Sequence, residues 1–593
     1  MRTIELSGLV LAAVMAVLPA ARAAEDNATM RKQCRQLFDQ GNFNEAYQAY
    51  RKLALDPNDD PRQVGDDLGM AVQCLMQLNR VNEADAFIEA VIEVHKDNWR
   101  LLWAAARQYL ALPHQGFMIA GEYHRGGHRG GGKVVNSIER DRVRALQLME
   151  QARGAALKDD DHAAAGDFLM SMAEMLLNQR GWSEAWRLQY LTDLSQLPDF
   201  DEGWGYYRDN AGAPVDADGK PVFHHVPKTF EDSETDGQRW RWCLEQAVEL
   251  NPNRRNQVRM HFADFLWNQF GVQTMAYYGW RFGRLEGDDT QQDESGTYAL
   301  HTLGERETIA RLATGVKRFE LPEEFNFIAI YKKIAEEPNT GFQRDALARL
   351  AEIHENRRQY PKAADYWRKV IAIDGSQHWK ERLAQIVEPW GRFEAATTQP
   401  AGRGATIEYR FRNGHTIELT AHEIDVQKLL DDIKAYLKSR PGELDWEKAN
   451  IGDLGYRLVH QNQQRYRGAK AAEWKMVVKP RPAHFDKCVT VATPLQKPGA
   501  YLVEAKMQGG NTSFVVLWID DTSIVRKQLD GKVYYFVADA VSGAPVAKAN
   551  VEFFGYRQEF VPPRGFRLDV KQFAELTDAD GQLILGPDRQ PAD

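Results

Sequence analysis

The sequence predicts a multidomain chain in which an N-terminal α-helical repeat solenoid is followed by antiparallel β-sandwich domains. Three observations carry this expectation. The 593 residues exceed what one hydrophobic core usually holds. Up to about residue 395, apolar residues recur at spacings of three and four, the period of a helix. After Trp474 the pattern changes to short alternating runs separated by Gly and Pro turns, the signature of antiparallel sandwiches.

The first segment is a leader. "MRTIELSGLVLAAVMAVLPAARAAEDN" begins with Arg2, continues through an apolar stretch from Leu6 to Leu18, and reaches a small-residue site at Ala21-Arg22-Ala23. That pattern predicts a secretory signal peptide over 1–23 and an exported mature protein in the periplasm, the cell envelope or the extracellular space. The apolar stretch is too short to span a bilayer, and no later run is long enough, so no membrane span is expected after cleavage. A net charge of −9, with acids and bases interspersed, leaves no footprint for nucleic acid. The four cysteines, Cys34, Cys74, Cys243 and Cys488, are too few for a disulfide scaffold. Cys34 and Cys74 fall in neighbouring helical units, and sequence leaves open whether they pair.

From 29 to 395 a weak repeat organises the helices. "GNFNEAYQAYRKLALDP" (41–57) places Phe43, Ala46, Tyr50 and Leu53 on one helical stripe. "NRVNEADAFIEAVIEVH" (79–95) repeats it with Ala84, close to the roughly 34-residue period of tetratricopeptide units. "RGWSEAWRLQYLTDLSQLPD" (180–199) and "RRQYPKAADYWRKVIAIDG" (357–375) read as two more copies, the last with "FQRDALARLAEIHE" as its partner helix. These segments resemble tetratricopeptide repeats. The likeness implies an array with a groove for a protein or peptide ligand.

Several short motifs test for chemistry. "RWRWCLEQAVELNPN" contains CLEQ, the spelling of an internal thioester, with Cys243 and Gln246 on one helical face. Its flanks belong to a repeat ending, so Cys243 is expected to be an unmodified thiol. The glycine-rich "GEYHRGGHRGGGKVV" (121–135) fails as a phosphate cradle because Val134 follows Lys133 and no strand is evident before it. His124 and His128 have helical metal-ligand spacing, but the glycines between them argue against a helix. A flexible connector is expected there. Asp578, Asp580 and Gly581 read as a β-turn rather than a calcium loop. His224, His225, His301 and Glu305 form no spacing for a nucleophile, base or metal. No enzyme activity, cofactor or metal is therefore expected, and no catalytic residue is assigned.

Asn413-Gly414 is the strongest hairpin signal, between "ATIEYRF" and "TIELTA". Further on, "KPGAYLV", "VVLWIDDTSIVRK" and "YYFVADAVSGAPVAKANVEFF", with its turn at Ser542-Gly543-Ala544-Pro545, resemble the N-terminal macroglobulin-like domains of bacterial alpha-2-macroglobulins. "LTDADGQLIL" matches the strand start that follows in such domains. The expected organisation is a signal peptide (1–23), helical repeats (29–395), a mixed α/β connecting domain (396–475), one macroglobulin-like β domain (476–525) and a second, incomplete one (526–593). From Lys532 onward about four strands are legible against roughly seven in a sandwich, so association through 526–593 is expected. The resemblance implies the N-terminal scaffold portion of an exported alpha-2-macroglobulin-like endopeptidase inhibitor, with proteases as partners of the full-length protein. The family's bait segment, thioester domain and receptor-type domain lie downstream of what Asp593 closes, so none of its functional residues transfers. The alternative is an exported tetratricopeptide-repeat adaptor that binds a peptide or envelope protein without inhibition.

Overall fold

Small residues on the apolar stripes let the N-terminal helices close on one another. The computed structural model describes residues 27–205, 212–278, 299–338, 341–449, 454–461, 463–561, 565–587 and 589. The signal-peptide reading of 1–23 lies outside the described residues. Helices α1 (27–39), α2 (Phe43–Ala54), α3 (Val64–Gln77), α4 (Ala84–Val94) and α5 (Trp99–Ala111) follow in order. Ala46 on α2 and Ala84 on α4 are fully buried, as the repeat pattern requires. A Cβ at Gly65 of α3 would lie 2.8 Å from Ala104 Cβ of α5, so this helix contact needs a glycine. Asn98 caps α5 by accepting from the Arg100 and Leu101 amides at 3.1 and 3.4 Å.

This first unit extends to Arg357. After α5 the chain forms β1 (Gln115–Ile119), β2 (Glu122–Arg125) and β3 (Lys133–Asn136), then α6 (Ile138–Ala156) and α7 (His162–Leu177). β4 (Asp201–Glu202) closes a four-stranded sheet in the order β2-β1-β3-β4. The glycine-rich segment is thus a small antiparallel sheet with a strand directly before it, where the sequence suggests a flexible connector. Its anchor is Arg125, whose buried guanidinium no helical or loop pattern announces.

A second correction concerns 180–199. The expected repeat helix is only a 3₁₀ turn at Ala185–Gln189 followed by extended chain. Beyond that turn the carbonyls of Thr192, Leu194 and Pro198 accept from side chains of other helices. The unit ends with α8 (Asp236–Leu250), α9 (Arg255–Phe270), the hairpin β5 (Glu307–Leu312) and β6 (Gly315–Glu320), α10 (Phe327–Ala335) and α11 (Gln343–Asn356).

The second unit begins at Arg358, so α12 (Tyr360–Ile373) and α13 (Gln377–Val387) belong with the strands that follow. These are β7 (Trp390–Phe393), β8 (Gln399–Pro400), β9 (Thr406–Arg412) and β10 (Thr416–Ile424). Next come α14 (Val426–Lys438), α15 (Trp446–Ala449) and α16 (Leu454–Val459). β11 (Arg467–Val477), β12 (Lys487–Ala492), β13 (Gly499–Met507) and β14 (Thr512–Asp520) complete a sandwich. Its sheets run β11-β10-β13-β14-β8 and β12-β9-β7. Because β10 pairs with both β11 and β13, and β9 with β12, the segments separated in sequence at 475/476 build one sandwich.

β13 is buried on both faces. Tyr501, Val503 and Ala505 enter the core between the sheets, whereas Ala500 and Leu502 pack with Leu429, Ile433 and Leu437 of α14. That explains why "AYLV" is a continuous apolar run rather than an alternating one. Asn413-Gly414 makes no hairpin, because β9 and β10 lie in different sheets. Asn413 adopts φ 56° and donates Nδ2 to the carbonyls of Ile386 and Glu388 at 2.7 and 3.1 Å, fastening a corner to the end of α13.

β15 (Thr522–Leu529), β16 (Lys532–Asp539) and β19 (Gln582–Leu585) form a separate three-stranded sheet, and β17 (Asn550–Val561) pairs with β18 (Gly565–Leu576) as a ribbon. The chain changes sheets at Asp521, the handover read from "VVLWIDDTSIVRK". The turn at 542–545 closes only an Ala538–Pro545 bridge before β17 leaves for β18. Phe554, Leu568 and Val570 seat the ribbon in the α14 cluster. Every residue of β15 is exposed. No helix among the described residues is long and apolar enough to cross a membrane.

Candidate functional site

The segment expected to be a helix instead shapes the cavities of the first unit. Gln147 of α6 donates to the Leu194 carbonyl at 3.1 Å and Arg140 to that of Pro198 at 2.7 Å. Arg239 of α8 donates to the Thr192 carbonyl at 3.1 Å, and the Asp236 amide to that of Tyr190 at 2.9 Å. Along residues 178–205 open three cavities of about 650, 540 and 440 Å³. The first shares Glu139, Arg180 and Arg187 with the second, and Gln179 and Ser183 with the third.

Buried charge holds the floor. Arg142 lies 3.1 Å from the fully buried Asp236 carboxylate, and Arg180 donates to Glu139 at 2.7 Å. Arg187 reaches Glu184 at 2.6 Å and Glu139 at 3.5 Å. Arg239 also lies 3.5 Å from Asp236, so four guanidiniums meet three carboxylates and every charge of the floor is paired. The rim differs: Trp182, Trp186 and Tyr190 are 40%, 38% and 63% exposed, and Asp193, Asp199, Asp201 and Glu202 are all exposed. Hydrogen bonds from the Ser195 hydroxyl and amide hold the Asp193 carboxyl below its usual range.

Behind the first cavity, His114, Ser137 and Asp141 touch. His114 Nδ1 lies 2.8 Å from Asp141 Oδ2, and Ser137 Oγ donates to the same oxygen at 2.6 Å. The hydroxyl proton is committed to the carboxylate instead of facing an imidazole, which is not the order of an activated nucleophile. The arrangement suits holding a partner: polar walls, aromatic platforms and fixed backbone.

The sequence-derived residues lie elsewhere. Cys243 is a fully buried free thiol on α8, and Gln246 Nε2 donates to Glu249 at 2.6 Å. Burial pushes the Cys243 thiol far above its usual range. Intact-mass measurement with and without methylamine is expected to show no mass change at Cys243 or Gln246. An adduct would establish a thioester.

Cys34 and Cys74 are free and buried, each thiol pushed up to about 11 mainly by burial. His124 and His128 have ring centroids 6.3 Å apart near the small sheet, and Lys133 pairs with Glu202. Burial pushes the His224 imidazole down to about 4, which keeps it neutral. His225 faces Glu324 at 3.4 Å, Glu305 binds Lys332 at 2.7 Å, and His301 sits in a short 3₁₀ turn. Asp578 Oδ1 accepts from the Asp580 and Gln582 amides at 3.0 and 2.8 Å, while Gly581 adopts φ 68°, so that carboxylate closes a turn. Among the described residues no group of three or more His, Cys, Asp or Glu is placed to hold a metal ion. The rim acids of "DLSQLPDFDE" are plain in the sequence, but their place beside a cavity depends on the loop's fold.

The fold defines a helical N-terminal region bearing tetratricopeptide repeats, followed by several antiparallel β-sheets. A tetratricopeptide repeat family model matches residues 37–109. No curated protein matches the sequence. The chain is similar to native alpha-2-macroglobulin from Escherichia coli spanning domains NIE-MG1, at 12% identity over 34% of this chain and 89% of that one, with a TM-score of 0.23. Against the native conformation of the E. coli protein it is 11% identical over 34% of this chain and only 12% of that one, with a TM-score of 0.20. It is also similar to the assembly chaperone of RpL4, at 12% identity over 60% of this chain and 97% of that one, with a TM-score of 0.24.

Proposed function

We propose that this chain is the docking and scaffold portion of an exported alpha-2-macroglobulin-like endopeptidase inhibitor. The helical unit seats a protein or peptide partner, and the β unit supplies macroglobulin-like sandwich modules. The observation that carries docking is the row of cavities along 178–205, rimmed by exposed aromatics over a floor of paired charges. The inhibitor half is supported by "KPGAYLV", the sheet handover at Asp521 and the 542–545 turn. Entrapment works by enclosing a protease, so it blocks large substrates before small ones. The protein expressed in its natural reading frame should therefore suppress an endopeptidase's hydrolysis of a protein substrate while leaving cleavage of a small chromogenic peptide intact. Unchanged hydrolysis of both would remove the inhibitor half and favour the second reading, an exported adaptor without inhibitory activity. The tetratricopeptide repeat match over residues 37–109 supports that second reading.

A further inference from the structure

We propose that the cavities along residues 178–205 take an extended, arginine- or lysine-bearing peptide segment of a partner, with its cations among the rim carboxylates and its apolar parts against Trp186 and Tyr190. This rests on the docking reading and names the ligand.

The cations of the floor are already paired: its guanidiniums are committed to Asp236, Glu139 and Glu184. Arg142 Nε, Arg180 Nη1 and Arg187 Nε are closed to solvent, and Arg187 Nη1 faces Glu139 at 3.5 Å, so no guanidinium of the floor is left without a carboxylate partner for an acidic ligand to replace. The rim carries the opposite sign. "DLSQLPDFDE" (193–202) holds four acids and no Lys or Arg. Glu202 is met by Lys133, whereas Asp199 and Asp201 have no ion-pair partner among the described residues.

Aromatic platforms stand beside these carboxylates. Trp186 and Tyr190 line the second cavity together with Asp193 and Asp199, their rings edge to face at 6.0 Å. The Tyr190 carbonyl is tied to the Asp236 amide at 2.9 Å, which fixes the platform. An exposed ring next to a carboxylate attracts a guanidinium or ammonium through the ring face and the charge together. The first cavity adjoins both others, so an occupant spanning them is a chain segment rather than a single side chain.

Fluorescence anisotropy with short labelled peptides, one alternating arginine with alanine and one alternating glutamate with alanine, tests this at near-physiological salt. The arginine peptide should bind. Asp199→Asn combined with Asp201→Asn should weaken it by about fivefold, as two exposed ion pairs allow. Trp186→Ala should also weaken it. Glu443→Gln with Asp530→Asn removes the same charge from exposed sites of the second unit and should leave affinity within about twofold. Equal losses in the rim and remote variants would overturn the proposal, because net charge alone would then explain binding. Preference for the glutamate peptide, still dependent on Trp186, would overturn the basic ligand while leaving the docking reading in place. Binding of neither peptide would remove both.

Discussion

Asp141→Ala is expected to destabilise the first unit by about 3–5 kcal/mol, the range for removing one partner of a buried ion pair. Arg125 and Asp141 have side chains only 2% and 4% exposed, and Arg125 donates to both carboxylate oxygens at 2.8 and 2.9 Å. The same carboxylate accepts from Ser137 and contacts His114. Its loss leaves a buried guanidinium with Asp85 as its remaining carboxylate, at 2.7 Å, which places the cost toward the lower end of the range. Arg125 is also what fastens the small β1–β3 sheet to the helices, since Asp85 lies on α4 and Asp141 on α6. Urea unfolding with and without the substitution measures the change. A loss below about 1 kcal/mol would mean that Asp85 alone satisfies Arg125.

The pH dependence of this network has a definite sign. Burial alone would raise the Asp141 carboxyl, but hydrogen bonds from His114 and Arg125 outweigh it and hold the group below its usual range. The unfolded chain then binds a proton more readily than the folded one. The contribution is present in full above the unfolded carboxyl's value of about 3.9 and is lost as pH falls through the lower, folded value. Asp141→Ala should therefore flatten the acid limb of the unit's stability profile.

Helix pairs were legible where local pattern and tertiary packing agree. Ala46 and Ala84 mark helix contacts because a small side chain recurring at a fixed period is what the close approach of two helices requires, and both are buried at those contacts. The 180–199 segment carries the same signal in Ala185, Trp186 and Leu188. Its backbone, however, is held by Gln147, Arg140 and Arg239, partners that lie 47 or more residues away and leave no local trace. The site was missed for the same reason. Asn413-Gly414 correctly marks a reversal, but turn chemistry does not say whether the flanking strands pair. The side-chain bonds of Asn413 to the end of α13 turn that reversal into a corner between sheets. The glycine-rich segment concealed strands because glycine weakens strand propensity, while a buried Arg125 supplies the stability that propensity does not.

Phe411→Ala is expected to cost the second unit about 3–5 kcal/mol, the usual range for truncating a fully buried aromatic. Phe411 is 0% exposed on β9, the central strand of the three-stranded sheet, opposite Gly391 on one side and Lys487 on the other. Its side chain shares the inter-sheet core with Ile417, Leu419, Val503 and Leu517 of the facing sheet, so its removal leaves a cavity that neither sheet can fill without losing register. Ile524→Ala on β15 supplies the contrast: that side chain is 55% exposed, and its loss should change stability by no more than about 0.5 kcal/mol. Hydrogen exchange followed by mass spectrometry distinguishes a local from a global effect. Exchange in β7 and β9–β14 should accelerate in the Phe411 variant while α2–α9 keep their protection, because each unit has its own apolar core. Uniform acceleration across α2–α9 and the sandwich would instead mean that the helical and β regions unfold as one cooperative body.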